Sequence, residues 1–528
     1  MQSDGPTVEF MTETFDVVVA GAGPVGLMLA CELRLAGVDV LVVERLSEPD
    51  PTMKAGAINV PTAMAFYRRG LLPELEKFHL ARLSQFAAYR PGAQNAPALG
   101  SGRVVGGHFA GIWLNAELID YTDPAFAEVG PIENATFVIQ QEIEAILAAR
   151  AAELGVRVRR GVELTGFTDD ADCVTIWLGD TIVRAGWLVG CDGGRSTVRK
   201  LAGFDFPGVD PLITGRQALV EMSGAEQLRM GWNTTDTGIY AYGPMPGRIL
   251  TVEVDGPPAD RTAPITAAEL QTSLRKVSGV PVEITAVHSA TRFTDNTRQV
   301  TDYRKGRVLL AGDSAHVHSP FGGQGLNLGM GDAVNLGWKL AAVVAGWAPP
   351  GLLDTYTAER HPIGAWVLEW TRAQVAIMRP DARSRAMRRV TAELLATREG
   401  ATAVFKKISG VLHRYDLGGD HPLAGAAAPD IELSDGTRLG EHCLDGRALL
   451  LDLADSAALR ESAAPWSDRV RVLTAKPAQT RDLSALLIRP DGMVAWAADT
   501  GNTAGLVTAL THWFGRGHSE EFGQITLE

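Results

Sequence analysis

Residues 15–44 read FDVVVAGAGPVGLMLACELRLAGVDVLVVE. FDVVVAG is a short apolar run without polar alternation, as expected of a strand buried on both faces of a parallel sheet. PVGLMLACELRLAG then changes to helical spacing, opened by Pro24 and stopped by Gly37. VDVLVVE is a second buried strand, ending on an acid. The sequence therefore predicts a βαβ unit whose first turn holds Gly21, Gly23 and Gly26 in the spacing GxGxxG. Gly21 permits a tight turn, Gly23 lets the backbone approach a pyrophosphate, and Gly26 lets the helix pack on the sheet. The helix N-terminus then faces the negative charge. Glu44, eighteen residues beyond Gly26, stands where a carboxylate accepts hydrogen bonds from an adenosine ribose and repels a 2′-phosphate. The cradle is expected to hold FAD or NAD, not NADP.

Two further stretches share this texture. GCDGGRSTVR (residues 190–199) and GRVLLAGDSAHVHSPFGGQGLNLG (residues 306–329) each carry an apolar strand into a glycine-containing loop. Between them, GIYAYGPMPGRILTVEVDG (residues 238–256) alternates on either side of a Gly/Pro turn, the mark of an antiparallel hairpin. Residues 84–120 look similar but less regular. A helical stretch runs over about residues 363–412, and HPLAGAAAPD (residues 421–430) reads as a linker. The strands and final helix beyond it predict a small α/β domain.

The bulk properties narrow the function. A chain of 528 residues exceeds one core and implies several domains. Its net charge of −13, with no basic patch interleaved with aromatics, argues against nucleic acid. Cys31, Cys173, Cys191 and Cys443 are widely spaced and form no CxxC, so neither zinc nor a disulfide framework is indicated, and a reducing cytoplasm fits best. No apolar run is long enough to span a membrane. The stretch MQSDGPTVEFMTETF lacks the basic and apolar regions expected of a signal peptide; Met11 is an alternative start, and the ten residues before it are then expected to form a disordered tail.

In their order and placement at strand ends, the three glycine motifs resemble those of the aromatic-hydroxylase class of single-component flavoprotein monooxygenases. Within that class the chain is most similar to bacterial aromatic polyketide oxygenases and to rifampicin monooxygenase. The resemblance covers nearly the whole chain. It implies an α/β fold, with a Rossmann-like FAD-binding domain (residues 1–83, 121–204 and 296–362) interleaved with an antiparallel-sheet substrate domain (84–120 and 205–295). A helical linker (363–427) and a thioredoxin-like C-terminal domain (428–528) complete the expected organisation. Gly21, Gly23, Gly26 and Glu44 match the ADP-binding fingerprint, and Pro24 and Arg45 beside them are further cofactor-binding candidates. Asp192, with Gly193, matches a second fingerprint that serves FAD and transient NADPH, and Gly312 with Asp313 a third. Gln140 resembles a family glutamine on the ribose-phosphate side of the flavin, and Pro320 lies in the loop that passes near flavin C4a, beside Gly323. Lys54, in TMKAGAINVPTA, occupies a place where many relatives carry arginine and loses the planar fork.

GGQGLN opens a helix, so free N–H groups at Gly325, Leu326 and Asn327 can stabilise the charge of a reduced flavin. The implied reaction uses FAD, NADPH or NADH, and O2 to insert one oxygen into a polycyclic aromatic polyketide through a C4a-(hydro)peroxyflavin, most simply as ring hydroxylation. No side-chain nucleophile is needed, since the cofactor carries the chemistry. Baeyer–Villiger oxygenation and a non-catalytic binding protein on the same fold are the alternatives. Trp232, Tyr240 and Tyr242 are the candidate apolar floor for the substrate. His316 and His318 lack a third ligand, so no metal site is expected. Arg195 and Arg199 are expected to pair with acids or cofactor phosphate. The charges of Tyr356-Thr-Ala-Glu359-Arg360 are expected to tie helices together. Cys443, without a CxxC partner, implies a structural or assembly role for the last domain. A homodimer is left open.

Overall fold

The computed structural model describes residues 13–52, 54–88, 107–132, 136–243, 245–260, 263–499 and 503–518. The alternative start at Met11 and the central part of the 84–120 segment lie outside them. Five parallel strands lie in the order Val308–Leu310, Thr181–Gly190, Glu13–Ala20, Val40–Glu44 and Arg157–Arg160. Val17, Val18, Leu41, Val42, Leu188 and Leu309 are fully buried, which is why these runs carry no polar alternation. Ala20 is in register with Val43 and Gly190, and Gly190 with Leu310. The three glycine motifs therefore leave the sheet along one edge, at the carboxyl ends of its strands. Ligands of open α/β sheets bind at that edge.

Pro24–Leu35 forms the predicted helix and packs against a longer one, Gly325–Val344. Gly37 ends the first helix at φ +86°, as its stop signal implies. A second, antiparallel sheet has the strand order Gly231–Thr234, Ile239–Tyr242, Arg248–Glu253, Thr214–Ser223 and Glu283–Phe293. Within it the predicted hairpin pairs Tyr242 with Ile249 and Ile239 with Val252. One face is covered by the helix Ala267–Ser278 through Leu270, Leu274 and Val277. The other meets Phe109, Phe321, Val375 and Met378.

The 84–120 segment departs from its expected sheet. Its beginning belongs to the helix Leu72–Ala88, whose Leu72, Leu75 and Phe78 recur at three-residue steps along one buried side. Its described strands are two residues each, His108–Phe109 and Ile112–Trp113, forming a small hairpin.

The helices Thr355–Met378, Ala382–Leu395 and Arg398–Ser409 account for the predicted helical stretch. Beyond it, a four-stranded sheet runs Val470–Thr474, Ala448–Asp452, Leu483–Ile488, Val494–Asp499, with the first pair parallel and the others antiparallel. One face has a core of its own, with Ile431, Leu449, Leu451, Leu486 and Val494, while on the other Trp338, Ala342 and Leu352 share one buried cluster with Leu450, Trp466, Trp513 and Phe514. Arg69 adds a buried two-pronged ion pair to Glu32, both arms at 2.7 Å, while donating to the Cys443 and Pro490 carbonyls. Cys443 is itself buried, packed beside Leu439. No helix of the described residues is long and apolar enough to cross a membrane.

Candidate functional site

The glycine loops touch one another. A Cβ on Gly21 would lie 2.4 Å from the Cys191 carbonyl oxygen, and Gly21 sits at φ +108°, where only glycine is at ease. A Cβ on Gly26 would lie 2.0 Å from the Gly21 carbonyl oxygen. Gly23 differs: nothing lies within 4 Å of its missing Cβ. Two of the glycines are thus required by packing and the middle one faces open space, as a backbone must if a phosphate is to approach it. The third motif closes on the same helix, since a Cβ on Gly312 would lie 3.1 Å from a Val25 methyl.

Glu44 ends its strand with one carboxylate oxygen accepting the Ala22 N–H and the other the Leu46 N–H, both at 2.9 Å. Each oxygen keeps a lone pair for a ribose. Arg45 and Lys54 are exposed, and Lys54 pairs with Asp50 at 2.9 Å. Gln140 donates its backbone N–H to the Ala55 carbonyl and its side-chain amide to Glu144, which brings it beneath the Lys54 loop.

Asp192 is engaged by its own helix. It accepts Ser196 Oγ at 2.5 Å and the Thr197 and Val198 N–H groups at 2.7 and 3.1 Å. It fixes the loop by capping, so the backbone beside Gly193 is what it presents outward. Arg199 pairs with neither acid nor open phosphate space; it donates to the Ser314 and Gly194 carbonyls and lies over Phe206. It joins the second loop to the third.

The helix beginning at Gly325 has no side-chain cap, so the N–H groups of its first turn point outward. Asp313 and Pro320 are exposed beside it, and Gly323 has open space around its missing Cβ. Leu326 is half-buried. Asn327 is buried and braced, accepting the Asn59 N–H and donating to the Gly323 carbonyl, both at 2.9 Å. Two buried polar atoms in the same loop, His318 Nε2 and Ser319 Oγ, have no hydrogen-bond partner among the described residues. An uncapped helix end, an exposed acid and unsatisfied buried polar atoms fit a flat, hydrogen-bonding anionic cofactor on this edge. His316 is bound differently, to Asp332 at 2.7 Å, and Asp332 also takes the Gly312 N–H and Arg360.

On the second sheet, strand alternation separates the three aromatic candidates. Tyr240 and Tyr242 point to the helix-covered face, among Leu270, Leu274 and Ile249. Trp232 and Ala241, which are paired across strands, belong to the opposite face with Leu250, Val252 and Phe293. Trp232 stands 5.0 Å from the His108 ring and 5.8 Å from Phe321, in the loop that leads to the helix at Gly325. Trp232 alone of the three therefore lies on the side toward the third glycine loop. A hairpin with both faces buried leaves no polar alternation from which a sequence could assign these sides.

Residues 14–371 match the family described as FAD binding domain, and residues 421–517 that described as aromatic-ring hydroxylase, C-terminal. Rifampicin monooxygenase of Streptomyces venezuelae is 41% identical, with 95% of this chain and 99% of that one covered. The anhydrotetracycline hydroxylase OxyS of Streptomyces rimosus superposes with a TM-score of 0.82 at 40% identity, over 96% of this chain and all of the other. CabE, an aromatic hydroxylase from angucycline biosynthesis, does so at 0.81 and 37%, over 95% and 99%. The chain belongs to this family of FAD-binding monooxygenases.

The monooxygenase carries functional candidates that its sequence does not advertise. Arg248 lies on the Trp232 side of the sheet, in line with Leu250. Burial pulls its pKa down, and among the described residues it has no carboxylate partner and no side-chain hydrogen bond. His108 accepts the Gly111 N–H on Nδ1, so its neutral ring carries the proton on Nε2. Burial, with Arg248 and Arg388 nearby, pushes its pKa to about 4. Two surface concavities of about 720 and 630 Å³ share Trp187 and Arg307, but no fingerprint residue lines either.

The histidines set a pH dependence. Burial also pushes His413 down to about 4. Both stay neutral in the fold while the unfolded chain takes up protons near pH 6.5. From pH 6.5 down to 4 the unfolded state binds more protons, so stability falls as pH falls and levels off below about 4. The expected loss is about 2 kcal/mol per histidine after allowing for partial exposure. Thermal melts between pH 7 and 4 should show it, with a shallower slope in His413→Gln.

Proposed function

We propose that this monooxygenase hydroxylates a polycyclic aromatic polyketide, taking electrons from NADPH or NADH. Bound FAD, once reduced, supplies the activation of O2. Gly21, Gly23, Gly26 and Glu44 would hold the adenosine diphosphate portion, and Asp313 with the Gly325 helix end the remainder. The uncapped N–H groups of Gly325 and Leu326 favour negative charge gathered beside them.

The observation that carries the substrate reading is Arg248. A half-buried guanidinium with no carboxylate partner among the described residues, on the Trp232 side of the sheet and near His108, suits a flat apolar ligand bearing an acidic phenol or enol oxygen. His108, as a neutral Nε2 donor, would share that oxygen without changing charge across physiological pH. Arg248→Met is expected to weaken binding of such a substrate by about 30-fold, near 2 kcal/mol, with less effect on a neutral O-methylated analogue. Equilibrium titration of the oxidised holoenzyme measures both.

The reaction is tested by mixing the holoenzyme anaerobically with NADPH, with and without tetracyclic or angucycline-type polyketides. Flavin bleaching that one polyketide accelerates, followed by a ring-hydroxylated product once O2 is admitted, is the expected result. A lactone product would replace hydroxylation by Baeyer–Villiger oxygenation. A protein that neither retains nor takes up flavin would overturn the reading.

A further inference from the structure

Gln374 sits within the helix Thr355–Met378 and is fully buried. Its Oε1 accepts the Ala110 N–H at 2.9 Å, and its Nε2 donates to the Phe321 carbonyl at 3.4 Å. These partners are far apart in sequence and belong to the two sides of the site. Ala110 is the turn of the His108–Trp113 hairpin, which packs on Trp232. Phe321 follows Pro320 in the loop at the cofactor edge.

The hairpin turn is held under strain. Ala110 is fully buried at φ +52°, a conformation costing about 1–2 kcal/mol for a residue with a Cβ. Its carbonyl accepts Arg388 of the neighbouring helix, so both of its backbone polar groups are anchored to helices outside the sheet. A Cβ on the following Gly111 would come within 3.1 Å of Trp232 Cβ. On the other side, a Cβ on Gly322 would fall 2.7 Å from Gln374 Nε2. A change in either loop therefore meets the amide or the tryptophan directly. A residue needed only to fill space here could be apolar, as Met378 is one turn on; an amide is required to hold both loops.

We propose that Gln374 is a positioning residue that fixes the substrate-side hairpin relative to the cofactor-edge loop, so that occupancy of one side is felt on the other. The inference rests on the Trp232 wall being the substrate side, but its primary test needs neither substrate nor oxygen. FAD is added to the full-length apoprotein, and backbone hydrogen exchange is followed in residues 107–114. In the wild type, exchange there is expected to slow about fivefold on FAD binding. In Gln374→Met, which removes both hydrogen bonds at similar volume, that protection should vanish while protection of residues 21–26 persists. Gln374→Glu keeps the acceptor for Ala110 but turns a carboxylate toward the Phe321 carbonyl, and it decides the matter if the methionine variant fails to take up FAD. Hairpin protection absent in the wild type, or equal to it in a variant that binds FAD, overturns the proposal.

During turnover with a hydroxylated polyketide, the variants should release about threefold more H2O2 per NAD(P)H oxidised, because the gap between the two sides is no longer fixed. An unchanged ratio of H2O2 to product likewise overturns it. Failure of the wild type to hydroxylate any polyketide would count against the proposed function alone, since the exchange result stands apart from it.

Discussion

Gly23→Ala should leave the apoprotein melting within about 2 °C of the wild type, yet weaken its hold on FAD by about 30-fold or more, near 2 kcal/mol. The asymmetry follows from where the added methyl goes. At Gly23 the backbone is extended, at φ −75° and ψ −178°, so alanine is not strained, and no atom lies within 4 Å of the new Cβ. The space it enters is the one a pyrophosphate would need. Gly26→Ala should behave differently, because its Cβ meets the Gly21 carbonyl at 2.0 Å and the start of the helix must shift. That variant is expected to lose about 1–3 kcal/mol of folding stability together with its flavin. Thermal melts of the apoproteins and fluorescence titration with FAD separate the two effects. Equal FAD affinity in Gly23→Ala and wild type would mean that the loop does not face the cofactor.

The same contrast explains what could be read from the chain beforehand. A cradle for phosphate constrains backbone, and backbone constraints leave glycines at fixed spacing. The loops at Gly21, Gly193 and Gly312 were therefore visible as motifs, and the parallel strands as unbroken apolar runs. The sides of the second sheet were not visible. Tyr240 and Trp232 are both aromatic residues of short strands, and only the cross-strand register sends one toward the helix Ala267–Ser278 and the other toward Phe321. Arg248 is an ordinary strand arginine until the fold shows no carboxylate facing it among the described residues. Gln374 gains its meaning from two loops that meet it only in the fold. The Leu72–Ala88 helix was legible in its three-residue apolar spacing, but irregular texture just beyond it suggested strands instead. The sequence marks Asp192 as part of a fingerprint, but only the fold shows that its side chain caps the following helix and leaves the neighbouring backbone open.

Arg360 and Glu359, placed by the sequence as ties between helices, lead to the second large effect. Arg489, from the C-terminal unit, is fully buried and donates to Glu359 through two nitrogens at 2.8 and 2.7 Å. It also pairs with Asp491 and lies over Trp513 at 4.5 Å. Glu359 is bound in addition by Lys339 at 2.9 Å. Burial alone would raise the Glu359 pKa, but Arg489 and Lys339 outweigh it and hold it down to about 2. Arg489→Met would leave two buried carboxylates with one ammonium, and the expected cost is about 3–5 kcal/mol. Adding Glu359→Met, Lys339→Met and Asp491→Asn should recover much of that loss, because the cluster then carries no unpaired charge.

The acid limb supplies an independent check on that network. The stability Glu359 contributes is present above its unfolded pKa, near 4.5, and is lost as pH falls toward about 2. Without Arg489 its folded pKa rises toward the unfolded value, so that contribution should disappear from the variant's acid profile. The loss should also reach the cofactor edge. Glu359 and Arg360 are neighbours, Arg360 holds Asp332 at 2.8 Å, and Asp332 accepts the Gly312 N–H at 3.0 Å. In urea, flavin release and tryptophan exposure should therefore move together to lower concentration in Arg489→Met. Unfolding of the C-terminal unit with flavin still bound would instead show that the network glues the two units without supporting the third glycine loop.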